Sequence, residues 1–192
     1  MGILKNSKKV IDLVLIGMIA AINCALIMLI HINVPLPVGQ TVIHLGNAFI
    51  LLMGLTFGGW RAGLGGGLGS ALSDVFSGTY ALYAPGTFIA KGLIGLICGK
   101  IAFAGGRQGK NMLWNTFAVF LGSLANVLLS PLNGFLVQLF SNNFQWKATL
   151  PAWGAETLAS LSAAVPSILI ALLLAPLLRK ALDASGLYRR IA

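Results

Sequence analysis

The stretch VIDLVLIGMIAAINCALIMLI, from Val10 to Ile30, decides the fold class. At 1.5 Å per residue a helix of this length is about 30 Å long, the thickness of a bilayer's hydrocarbon core. Asp12, close to its start, is its one charge. Lys5, Lys8 and Lys9 precede it, as in a signal peptide. The run is too long for a signal h-region, however, and no small-residue cleavage site follows, so it is expected to be a retained first helix.

The rest of the chain repeats that character. Of 192 residues, 57% are hydrophobic and only 9% charged, with a mean hydropathy of +0.90. A soluble domain carries roughly a quarter charged residues, so this composition excludes one. Apolar runs predict helices over 10–30, 42–57, 62–77, 84–104, 112–140 and 155–182, the fifth bent at Pro131. Pro35, Pro37 and Gly39 predict a loop over 31–41, and 78–83 and 141–154 read as further loops. The expectation is an all-α integral membrane protein, residues 1–192 forming a single domain of six transmembrane helices.

A net charge of +9 would suggest nucleic acid in a soluble protein. Here the basic residues cluster between apolar runs, where they orient a chain in the bilayer, and no nucleic-acid partner is expected. With six crossings, Lys5, Lys8, Lys9, Arg61, Lys100, Arg107, Lys110, Arg179, Lys180, Arg189 and Arg190 share one side. Lys147 lies opposite and Lys91 inside the fourth helix. Both termini are therefore expected to be cytoplasmic, in a multi-pass cell-membrane protein. Cys24 and Cys98 sit in apolar runs without metal-ligand or disulfide spacing.

An ionisable group near the centre of a spanning helix costs roughly 2.5–3.5 kcal/mol, so each is a functional candidate. Asp12 and Asp183 fall at helix ends and need no such account. Asp74, Lys91, Glu156, His44 and Asn47 come from four helices and converge on one depth in the outer half. Two readings follow: Asp74 and Lys91 neutralise each other as a buried pair, or all five line a polar pocket open to the outside. Tyr80, Tyr83 and Trp153, placed in the capping loops, suit stacking on a flat ring or interfacial anchoring. Asn126, Ser130 and Asn133 share a face of the fifth helix, and Ser160 and Ser167 continue the Glu156 face. These line the pocket or bond across the bundle.

Gly17, Ala21 and Ala25 form a ridge of small residues on the first helix, suited to close approach by another helix of this bundle or of a second protein. Seven glycines lie between Gly58 and Gly69. Without a preceding strand or a Gly-Lys-Ser/Thr ending they are no phosphate loop, and tight helix packing is the expectation. No catalytic signature, ATP site, cofactor site or metal site is present, so an enzyme is not expected. Active transport would need energy from elsewhere.

Several stretches together resemble the S components of energy-coupling factor (ECF) transporters. They are Ile43-His44-Leu45-Gly46-Asn47, Phe57-Gly58-Gly59, the glycine-rich helix ending in Ser73-Asp74, and Thr87-Phe88-Ile89-Ala90-Lys91-Gly92. They look like the subgroup associated with hydroxymethylpyrimidine, pyridoxine and related small vitamins. The resemblance is clearest over residues 42–104. It implies capture of a vitamin or precursor near the outer face and association with a transmembrane T component and two cytoplasmic ATPases. It also implies that Gly17, Ala21 and Ala25 contact the T component. Gly17 departs from the usual Ala of that ridge, and being smaller it does not obstruct packing. A proton-coupled carrier using Asp74, and a membrane assembly protein without a ligand, are the alternatives from other classes.

Overall fold

The computed structural model describes residues 2–35, 40–141 and 145–186. Six α-helices are found among them: α1 (Gly2–Leu29), α2 (Gly46–Phe57), α3 (Gly59–Ser77), α4 (Ala84–Phe103), α5 (Met112–Ser141) and α6 (Trp146–Ala184). Between α1 and α2 stands a two-stranded antiparallel hairpin, β1 (His31–Pro35) and β2 (Gln40–His44).

Large apolar side chains cover the outside. Leu13, Leu29, Phe76, Leu82, Leu128, Leu158 and Leu173 are each more than 60% exposed. A surface like this is stable in hydrocarbon and not in water. Helices α1, α4, α5 and α6 are long and apolar enough to cross a bilayer. The protein is an all-α, multi-pass membrane protein.

Two of the six expected crossings differ from the others. Helix α2 has only 12 residues, about 18 Å of helix, which is less than the hydrocarbon thickness. Helix α3 is held by its glycines. A Cβ on Gly59, Gly63 or Gly67 would run into α4 backbone, 2.5–2.8 Å from the carbonyl oxygens of Leu96, Gly92 and Phe88. Gly65 and Gly69 face α1, at Ile19 and the Ala20 carbonyl, and Gly66 faces Ile50 of α2. The glycines therefore pack α3 against three neighbours at once, as the sequence suggested. Asn23 reinforces the α1 side, donating from Nδ2 to the Gly66 carbonyl (3.1 Å) and the Ser70 hydroxyl (2.9 Å).

The loop expected over 31–41 is in fact largely a hairpin. Ile32, Val34, Val42 and Ile43 are β-formers on either side of the turn, and the ladder runs from His31↔His44 to Pro35↔Gln40. Pro37 and Gly39, on which the loop reading rested, lie outside the described residues, as do Arg189 and Arg190. The hairpin also moves the start of α2 from 42 to 46. Helix α6 begins at Trp146, well before the expected 155, with Pro151 inside its first turns.

Candidate functional site

One end of the bundle holds a cavity of about 350 Å³. Its walls come from the last turn of α1, the hairpin, the first turn of α2, the last turns of α3, the first turns of α4, and α5 and α6. The short α2 matters here. It begins well inside the bundle, and the space beyond its first turn is bounded by His44, Asn47 and the hairpin.

Nine of the ten substrate-binding residues expected from sequence line this cavity: His44, Asn47, Asp74, Tyr80, Tyr83, Lys91, Asn126, Asn133 and Glu156. Trp153 does not. It belongs to α6 and not to a loop, is 43% exposed, and packs edge-on against Phe135 with ring centroids 5.9 Å apart. Tyr80 and Tyr83 meet edge to face at 5.9 Å and form an aromatic corner of the cavity.

Lys91 is the centre of the polar floor. Its ammonium donates to Asn47 Oδ1 (2.8 Å), Asn126 Oδ1 (2.7 Å) and Ser130 Oγ (3.3 Å). Those three bonds use all three of its protons and tie α4 to α2 and α5. Lys91 and Asp74 interact electrostatically, but the ammonium's hydrogen bonds go to two amides and a hydroxyl. Ser130 also donates to Asn126 Oδ1 (2.8 Å), so this oxygen accepts twice. The contact fixes both amides with oxygen toward Lys91.

The acidic groups stand apart from that node. Asp74 Oδ2 is buried and has no hydrogen-bond partner. Glu156 Oε1 accepts a long bond from Gln138 Nε2 (3.4 Å). Two glycines make room for these polar side chains. A Cβ on Gly134 would fall on the Glu156 carboxylate, and one on Gly86 would fall on the Asn133 amide. Asn133 in turn donates to the Tyr83 carbonyl (3.1 Å), tying α5 to the short turn before α4.

At the mouth, His44 Nδ1 accepts the Gly46 backbone N–H at 3.1 Å. Burial, then the nearby Lys91 ammonium, then His31, push this imidazole down to about 3. It is neutral at physiological pH, and since Nδ1 is an acceptor its proton resides on Nε2.

Sequence reasoning missed His31, Ser70, Ser73, Ser77 and Thr87, which also line the cavity. His31 is brought in by strand register, for which a loop reading gives no signal. The serines had one: they lie on the Asp74 side of α3. Ser160 lines the cavity, whereas Ser167 bonds back to the Ala163 carbonyl within α6 (2.7 Å).

The opposite end is basic and closed. Asp12 pairs with Arg61 at 2.7 Å, and Arg107 lies 3.8 Å over the Trp114 ring. Arg179 is buried and donates to the Leu55 carbonyl.

The sequence model of the family described as "ECF-type riboflavin transporter, S component" matches residues 7–180. The chain belongs to that family. It is thus an S component, the substrate-binding part of a transporter, and not an enzyme. The chain is also similar to an uncharacterized protein, described as lying in the gap 3′ region, of Pyrococcus woesei. The two are 30% identical over 119 residues, which cover 59% of this chain and 78% of the relative. No solved structure matches it.

Proposed function

We propose that this S component captures a small heteroaromatic vitamin or vitamin precursor, of the hydroxymethylpyrimidine or pyridoxine type, at the outer face of the cell membrane. It then delivers the cargo inward with a transmembrane T component and two cytoplasmic ATPases. The observation that carries the reading is the single-ended cavity with its hydrogen-bonding floor and its Tyr80–Tyr83 corner. Its volume of about 350 Å³ is near the lower bound of ligand sites, which suits one substituted ring. Riboflavin, which the family description names, is the second reading.

Charge supports this orientation. Arg61, Lys100, Arg107, Lys110, Arg179 and Lys180 gather at the end away from the cavity, and the positive-inside rule favours a cytoplasmic place for that end and for both termini. Gly17, Ala21 and Ala25 are all exposed, and nothing lies within 4 Å of a Cβ built on Gly17. A ridge left exposed among the described residues suits docking of the T component.

Titration of the purified protein in detergent, followed by tryptophan fluorescence, tests the proposal. Hydroxymethylpyrimidine, pyridoxine, thiamine, riboflavin, biotin and pantothenate make up the panel. Tight, saturable binding of hydroxymethylpyrimidine or pyridoxine is the expected result. Tight binding of riboflavin instead moves the assignment to the second reading, and folded, ligand-free protein that binds none of them overturns it.

A further inference from the structure

Resting on the reading of this cavity as the ligand site, we infer that it selects ligands presenting a hydrogen-bond donor edge to Asp74, and that it excludes anions. Carboxylate vitamins and phosphorylated forms are therefore not cargo.

The argument begins with what Lys91 no longer offers. A lysine in a pocket is ordinarily the group that receives a carboxylate or phosphate. Here its three protons are already committed to Asn47, Asn126 and Ser130, at 2.7–3.3 Å. An anion would have to displace one of three oxygens already bonded to a buried ammonium. The lysine is thus a structural pin joining three helices, and its charge is spent on its own walls.

Asp74 is the complement. It lines the cavity, and its Oδ2 is buried with no donor. Its polar neighbours are Lys91, whose protons are taken, and Thr87, whose side chain hydrogen-bonds the carboxylate. Thr87 Oγ1 lies 3.4 Å from Asn133 Nδ2. A carboxylate has about four acceptor positions, and Asp74, half-buried and lining the cavity, keeps acceptor capacity beyond its contact with Thr87. The other ionisable groups of the wall agree in sign. Glu156 adds a second carboxylate, His44 is neutral, and His31 completes the set. The lysine ammonium is already bonded to Asn47, Asn126 and Ser130, and Asp74 and Glu156 bring carboxyl groups, so the wall favours hydrogen-bond donors over anions.

The matching chemistry is an N–H beside a second donor, or a protonated ring nitrogen beside an exocyclic amine. A 4-aminopyrimidine protonated at N3 has that edge, and two parallel N–H···O bonds to one carboxylate give it both strength and direction. A 4-oxo analogue puts a carbonyl acceptor where the amine donor stood, so it keeps at most the ring N–H and loses the paired contact.

The test uses the purified full chain and two matched pairs. The first is 4-amino-5-hydroxymethyl-2-methylpyrimidine against its 4-oxo counterpart. The second is pyridoxine against 4-pyridoxic acid. Riboflavin and pantothenate are titrated alongside. The amino and alcohol members are expected to bind at least about tenfold tighter than their partners, with no saturable binding of pantothenate. Asp74→Asn is expected to weaken the best ligand by about tenfold or more while the melting temperature stays put. Lys91→Gln, which keeps a donor amide, is expected to create no anion binding. Preference for 4-pyridoxic acid, the 4-oxo ring or pantothenate overturns the inference while leaving the substrate-capture reading intact. So does a best ligand, riboflavin included, that ignores Asp74→Asn. Failure of the whole panel breaks the underlying reading, and the inference falls with it.

Discussion

Two helices carry the same sequence signature and meet opposite fates. On α3, Gly59, Gly63 and Gly67 repeat at four-residue intervals and are buried against α4 so closely that no side chain fits. On α1, Gly17, Ala21 and Ala25 repeat at the same interval and face outward. In lipid, a ridge of small residues marks a surface for close backbone approach and nothing more. Whether the partner lies in the same chain is decided by the other faces of the helix. The opposite face of α1 is taken by Ile19 and Asn23, packed on α3. Helix α3 presents its glycines to α1, α2 and α4 and leaves the face of Trp60, Leu68, Leu72 and Phe76 exposed. An internal seam stabilises the fold, and an unfilled ridge is available for assembly.

The largest effect should come from filling the internal seam. A side chain at Gly99 of α4 would overlap the backbone of Gly59, and backbone cannot step aside as a side chain does. Gly99→Leu is expected to cost more than the roughly 1–3 kcal/mol of ordinary overpacking. Its signature is loss of the monodisperse folded peak in size-exclusion chromatography. A normal melting temperature would show that the α3–α4 contact is looser than the geometry requires.

Next comes the polar counterpart of that seam. Lys91→Met removes three hydrogen bonds, leaving the Asn47 oxygen without its donor and the Asn126 oxygen with Ser130 alone. A destabilisation of about 1–3 kcal/mol is expected. A thermal melt in detergent reads it, and an unchanged or higher midpoint would mean that relief from burying the charge outweighs the lost bonds.

A smaller effect is expected at the mouth, from pH. His44 titrates at about 3 in the folded chain against an ordinary 6.5, so folding favours its neutral form. That contribution is complete above pH 6.5 and is lost progressively as the pH falls from there toward 3. The melting midpoint should therefore drop between pH 7.5 and 5, and the drop should shrink in His44→Gln. Equal drops in both proteins would assign it to other groups.

The smallest effect on the fold sharpens the comparison most. Ala21→Trp places bulk on the exposed ridge, where nothing of the chain is in the way. Melting temperature and ligand affinity should stay within error, whereas co-purification with the transmembrane T component should be lost. A lowered melting point would make the ridge an internal surface. Retained co-purification would place the docking face elsewhere.

Much of the architecture was legible because the bilayer leaves few options. Every buried backbone group must be bonded within its own element, so an apolar run of 20 residues has essentially one reading. The candidate site was legible for a related reason. Polar side chains are costly in hydrocarbon, so Asp74, Lys91, Asn126 and Glu156 stand out against their surroundings, and depth alone brings them together. The hairpin at His31–His44 was not legible, because a proline-rich stretch with β-branched residues fits a loop as well as a ladder until its register is known. Nor was Trp153, whose place depended on where α6 begins.

By itself, then, the sequence determined the membrane setting, the helix count and the set of polar residues sharing one depth. Those follow from transfer energies that each residue carries with it. Only the tertiary structure decided which partner each polar group takes. It gave the Lys91 protons to two amides and a hydroxyl, left Asp74 Oδ2 without a donor, and turned one small-residue ridge inward and the other out. Hydrogen bonds and close packing depend on ångström-scale placement between helices distant in sequence, and no local pattern encodes that.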